Sequence, residues 1–92
     1  MNHSDDRKPA HHPQTASRVF AGEAVIITPA ENMVRLLNPV GSRIWELADG
    51  MGTPEQITLA LADEFDVDLS AARRSVAAFL EELSGKELLV WT

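Results

Sequence analysis

The chain has 92 residues, no cysteine and a net charge of −6. That length supports one small domain around a single core, and the lack of cysteine excludes disulfide staples, thiolate catalysis and cysteine-ligated metal. The acidic balance argues against a dedicated nucleic-acid binder, whose affinity would rest on Lys and Arg at phosphates.

No apolar run approaches the roughly 18 residues that span a bilayer, and the polar start does not read as a signal peptide. The expectation is a cytoplasmic protein with no membrane partner. Residues 1–15 hold almost no bulky apolar side chain and no periodicity. They are expected to form a disordered tail, leaving 16–92 as the folded domain. The three histidines, His3, His11 and His12, all fall in that tail and lack the spacing of a known metal site.

From Ser17 the chain turns β-like. Val19-Phe20 reads as a short first strand, and Ala21-Gly22-Glu23 as a turn. Ala24 to Thr28 is rich in β-branched residues, the composition a strand prefers. Pro29-Ala30-Glu31-Asn32 is a connection, with Pro placed to start a turn and Asn to tolerate positive φ. Met33 to Leu37 is the third predicted strand. Short loops between neighbouring strands imply an antiparallel meander. Leu37 is expected to face the core, because it leads into the first helix.

That helix is announced by Asn38, a good N-cap, and Pro39, which suits the first helical position. Val40, Ile44, Leu47 and Ala48 recur at helical spacing, and Gly50 is a cheap stop. Thr53-Pro54-Glu55-Gln56 predicts a capping box opening the second helix. Ile57, Ala60, Leu61 and Phe65 form its apolar stripe. Asp66 to Leu69 reads as an extended linker, Ser70 as the cap of the third helix, and Gly85 as its stop. Ala72, Val76, Phe79, Leu80 and Leu83 give that helix an apolar face. Leu88 to Trp91 closes the chain as a short extended segment. The expected fold class is α+β: a three-stranded antiparallel sheet followed by a three-helix bundle, in a winged helix-turn-helix-like arrangement.

Enzymatic constellations are absent, and no cofactor is called for. Thr53 and Ser70 are accounted for as caps. Asp66 and Asp68 lack the glycine and terminal glutamate of a calcium loop. No glycine-rich phosphate loop is present. Two features could instead support binding. An open edge on the third strand, Met33, Val34, Arg35, Leu36 and Leu37, would offer amides and carbonyls to an extended peptide. Arg73 and Arg74 on the third helix could clamp an acidic peptide or touch phosphates, or lie on a solvated face paired with nearby acids. Trp45 and Trp91 read as core or core-edge.

Leu37-Asn38, Gly41, Ile44-Trp45, Leu47 and Asp49-Gly50 resemble the coenzyme PQQ synthesis protein D (PqqD) family. The resemblance continues through Thr53-Pro54-Glu55-Gln56-Ile57, Leu61, Phe65-Asp66-Val67-Asp68, Val76, Phe79-Leu80, Leu83 and Leu88-Leu89, and covers residues 17–91. The chain departs from the family pattern at Lys86-Glu87, between Gly85 and Leu88. The resemblance implies a non-catalytic peptide chaperone, or RiPP recognition element, that binds the leader of a ribosomally made precursor (PqqA-like). It would present that leader to a radical SAM enzyme (PqqE-like). It also implies that the leader adds as a strand beside the third strand and against the third helix. Mapped onto this chain, the groove would be Met33 to Leu37 on one side and Arg73, Arg74, Ala77, Ala78 and Glu81 on the other. The two arginines would pair with leader carboxylates.

The competing reading is a winged-helix DNA-binding or regulatory domain, with Arg73 and Arg74 at the groove. The acidic charge and the shortage of base-reading side chains on the third helix weigh against it. An open edge could also pair or swap strands with a second copy, so the sequence leaves monomer and homodimer open.

Overall fold

The structure is a computed structural model that describes residues 7–28 and 31–92. Its elements run β1 (Pro9–His11), β2 (Ala16–Phe20), β3 (Glu23–Thr28), β4 (Met33–Leu36), α1 (Pro39–Leu47), α2 (Pro54–Phe65), α3 (Leu69–Gly85) and β5 (Leu89–Trp91). Strands β2, β3 and β4 form an antiparallel meander in that order, and β1 pairs with β5 in a separate two-stranded ribbon. The α+β class and the three-strand, three-helix order match the expectation. The expected turn at Pro29-Ala30 lies outside the described residues.

The hairpin between β2 and β3 is closed by two residues, Ala21 and Gly22, both at positive φ. This matches a type I′ hairpin turn, whose twist suits the flanking strands. Along β3, Ala24, Ile26 and Thr28 are buried while their neighbours face outward, as the two-residue strand period requires. Ala24 and Ile26 pack on α1 and α3 in one core with Ile44, Trp45, Ile57, Leu61, Val76, Leu80 and Leu88.

The helix caps are largely those written in the sequence. The Asn38 side chain accepts from Gly41 N at 2.7 Å, with Pro39 next in the chain. Thr53 and Gln56 form a complete capping box. Two expectations are corrected. Asp68, not Ser70, caps α3, its carboxylate accepting from Ala71 N at 2.7 Å, so Leu69 is already helical. Asp is as good a cap as Ser and sits one turn before the first core position, Ala72. Gly85 also does not stop the helix with a left-handed turn. It is the last helical residue, and Glu87, at φ 61°, makes the reversal.

The tail expectation fails from residue 9 onward. Pro9, Ala10 and His11 pair with Trp91, Val90 and Leu89. His12 N donates to Leu88 O at 2.9 Å, and Gly50 N donates to Pro9 O at 2.8 Å. The His11 ring stacks on Trp45 at 3.7 Å between centroids and 6° between planes, and its Nε2–H donates to Trp45 O at 2.7 Å. Residues 1–6, with His3, lie outside the described residues. Both tryptophans are core or core-edge, as read. Trp45 is buried and donates to Ser17 Oγ at 3.0 Å, while Trp91 donates to Ser84 Oγ at 2.9 Å.

One buried hydroxyl ties α1 to the sheet. Ser42 Oγ accepts from Ala24 N at 2.6 Å and donates to Leu37 O at 3.1 Å. Leu37 N in turn donates to Ala24 O at 2.9 Å. β3 therefore passes from partnering a strand to partnering a helix without leaving its amide unpaired. Ser42→Ala strands the buried Ala24 amide, and such a group costs about 1–3 kcal/mol. Urea unfolding should show a drop of that size in the free energy with the slope unchanged.

Candidate functional site

β4 has a strand on one side only. Among the described residues, its far edge meets no other strand. Val34 and Leu36 are 62 % and 72 % exposed, and Met33 is also exposed. A groove of about 720 Å³ runs between this edge and α3. Arg35, Leu36 and Leu37 line one side, Asn38, Val40, Gly41 and Ile44 of the α1 entry form the floor, and Ser75, Ala78, Phe79, Glu82, Leu83 and Lys86 form the other wall.

The local rules explain this geometry. The chain leaves the sheet at Leu37 and turns into α1 within two residues, because Asn38 and Pro39 start the helix at once. The groove floor is therefore an N-terminal helical turn, not more sheet. Gly41 lets Phe79 lie close. A β-carbon built there would sit 2.9 Å from the edge of the Phe79 ring.

The polar groups of the groove are unevenly satisfied. The Arg35 side chain is mostly buried, with Nη2 only 3.9 Å from Glu31, and its Nε is buried without a hydrogen-bond partner among the described residues. Lys86 Nζ donates to Glu82 Oε2 at 2.8 Å. That bond, with Lys86 and then Arg35 adding positive charge nearby, holds the Glu82 carboxyl below its ordinary range. Glu82 thus stays ionised beside the groove well into mild acid.

The residues expected from sequence divide between several surfaces. Arg35, Leu36, Leu37 and Ala78 line the groove, and Met33 and Val34 continue the open edge. Arg73 and Ala77 line a different concavity, against Pro54, Glu55 and Thr58 of α2. Arg73 Nη2 donates to Glu55 Oε2 at 3.1 Å. Arg74 and Glu81 are exposed and line neither surface. The α3 groove face is offset around the helix from the one expected: it runs through Ser75, Phe79, Glu82 and Lys86. Positions three and four apart share a face, so anchoring the wall on Phe79 rather than on the two arginines would have found it.

Other chemistry is not assembled. Among the described residues no three His, Asp or Glu side chains stand together as a metal site, and no helix is long and apolar enough to cross a membrane.

Together these features define a class: a small α+β domain whose sheet ends in an open edge facing its longest helix. The family model for coenzyme PQQ synthesis protein D (PqqD) matches residues 23–89, and the chain belongs to that family. Among solved structures it is similar to TbiB1 in complex with the TbiA(beta) leader peptide, with 32 % identity and a TM-score of 0.79 over 87 % of this chain and 93 % of that one. It shares the fold of a lasso peptide synthetase B1 complexed with its leader peptide, at 17 % identity and a TM-score of 0.80 over 90 % and 98 % of the two chains. No curated protein matches it significantly.

Gly41→Ala should fold but displace the Phe79 ring into the groove, because the ring edge is the part free to give. The aromatic resonances of Phe79 should shift while the sheet amides of β2 and β3 stay in place. Unchanged Phe79 resonances would refute this close contact.

Proposed function

We propose that this protein is a non-catalytic recognition module that binds the leader of a ribosomally made precursor peptide. The leader adds as a strand to the open edge of β4 and lies against α3. The observation that carries this reading is the buried Nε of Arg35, which has no partner among the described residues, at the junction of an open strand edge and a helix-walled groove. An added strand brings carbonyls and side-chain oxygens to that place. Main-chain pairing then supplies affinity, and groove pockets supply specificity. The complex of TbiB1, 32 % identical, with a leader peptide supports leader binding by this chain.

The pathway has two readings. A PqqA-like leader handed to a PqqE-like radical SAM enzyme follows from the family's name. A leader like TbiA(beta) is favoured by the 32 % identity to TbiB1, and we put that reading first. The DNA-binding reading is weaker, since of the two arginines it rests on Arg73 is paired with Glu55 and lines a concavity with α2, and the chain is acidic overall.

Labelled protein titrated with the TbiA(beta) leader, and in parallel with a PqqA-type leader, should show amide shifts over Met33 to Leu37 and Ser75 to Lys86. The Arg73–Ala77 face should stay quiet. Arg35→Met keeps the apolar stem but removes the charged donor, a contact worth about 1.5–3 kcal/mol. Binding should weaken at least about tenfold, whereas Arg73→Ala leaves it unchanged. Shifts confined to the α2–α3 face would overturn the proposed site.

A further inference from the structure

The sheet has two edges, and β2 forms the second. Among the described residues β2 pairs with β3 alone, and all of its residues, Ala16 to Phe20, are exposed. The register of the hairpin decides which main-chain groups stand free. Phe20 faces Glu23 across the turn, and the closing pair of such a turn is hydrogen-bonded, so the bonds to β3 fall on Phe20, Arg18 and Ala16. The N–H and C=O of Val19 and Ser17 therefore point away from the sheet. Ala24, opposite Val19, shows the same alternation: its N–H and C=O go to Ser42 Oγ and Leu37 N on the β4 side.

Edge strands are commonly blunted by proline, a bulge or an inward-pointing charge. β2 has no proline, its register with β3 runs without a bulge, and it is longer than β4. Its one charged residue, Arg18, lies opposite Val25, on the face turned away from buried Ala24 and Ile26. There it makes no ion pair among the described residues. Phe20, on the same outer face, is 63 % exposed. From the inner side Trp45 Nε1 donates to Ser17 Oγ at 3.0 Å. The strand is thus already held in the extended form that an added strand needs, which lowers the ordering cost of binding.

We propose that the β2 edge is a second strand-docking site. It takes an extended segment of a partner protein that carries an Asp or Glu opposite Arg18 and an apolar residue two positions away, opposite Phe20. Val19 and Ser17 exchange the main-chain bonds with that segment. Arg18 then falls in a pair without such bonds, where facing Cα atoms approach to about 4.5 Å and side chains meet closely. A carboxylate there pairs with the guanidinium, and an aromatic or β-branched residue covers Phe20. A second copy of this chain fits poorly, because its β2, paired antiparallel over the whole strand, sets Arg18 against Arg18. The β2 and β4 edges lie two strand spacings apart, about 10 Å, so a segment on β2 leaves β4 open to a different peptide.

The test is selection from a displayed library of random dodecapeptides on the wild-type chain and on Arg18→Glu, each enriched peptide then being located by amide shifts on labelled protein. Val19→Pro serves as a second variant, since it removes one free N–H without changing the charge. Both variants are checked for folding by their amide spectra. Wild-type selection should yield a class of peptides with alternating apolar residues around one Asp or Glu, shifting Ala16 to Phe20 and leaving Met33 to Leu37 in place. Those peptides should bind Arg18→Glu about fivefold more weakly and Val19→Pro about tenfold more weakly. Selection on Arg18→Glu should replace the acid with Lys or Arg. No class located at β2, a class with no acidic preference, or a preference that Arg18→Glu does not reverse overturns the site and leaves the β4 reading as it stands. Binding undiminished by Val19→Pro overturns strand addition at this edge.

Discussion

The hydroxyl of Ser42 is the point on which the architecture turns. A sheet that ended at β4 would leave the Ala24 amide without a partner just where the chain swings into α1. Ser42 fills that place from the helix and holds Leu37 O at the same time. The link fixes the angle at which α1 leaves the sheet, so Val40, Gly41 and Ile44 become the floor of a groove instead of a lid over β4. The side chain of Asn38 caps the same turn. Together they supply hydrogen bonds to the Ala24, Leu37 and Gly41 backbone at this irregular junction, as buried backbone requires.

α3 serves two surfaces with two stripes. Ala72, Val76, Leu80 and Leu83 are buried in the core. The adjoining stripe of Ser75, Ala78, Phe79, Glu82 and Lys86 stays open along the groove. Phe79 sits between them, packed against the core on one side and lining the groove on the other. The core stripe was legible in the sequence because it is uniformly apolar. The groove stripe was not, because alanine, serine, an aromatic and an ion pair in alternation carry no periodic signal. The adjacent arginines draw attention to a face that does not line this groove, since charge is conspicuous in sequence; Arg73 instead meets Glu55 on α2.

Caps and strand runs could be read because they depend on neighbours within four residues. β1 could not, because its partner lies some eighty residues away and its own composition, Pro-Ala-His, has no strand preference. What holds it is tertiary: the His11 ring flat against Trp45, and the ladder to β5. The choice of Asp68 over Ser70 as the α3 cap was also undecided locally, since either side chain can accept from an orphan amide. In the structure the Asp68 carboxylate accepts from Ala71 N, which starts the helix at Leu69.

An open strand edge is a liability, since exposed amides and carbonyls template unwanted pairing. Here the liability is kept small. β4 is only four residues long, the Asn38–Pro39 helix start ends it at one side, and Asn32, at φ 54°, bends the chain away at the other. Arg35 adds a further brake, for an unrelated chain laid on this edge must also accommodate a buried guanidinium. The same features that discourage indiscriminate pairing suit, on the proposed reading, an edge that takes one short segment. On the proposed reading they would limit an added strand to a few residues and require of it an acceptor for Arg35, with the rest of its contacts made along α3.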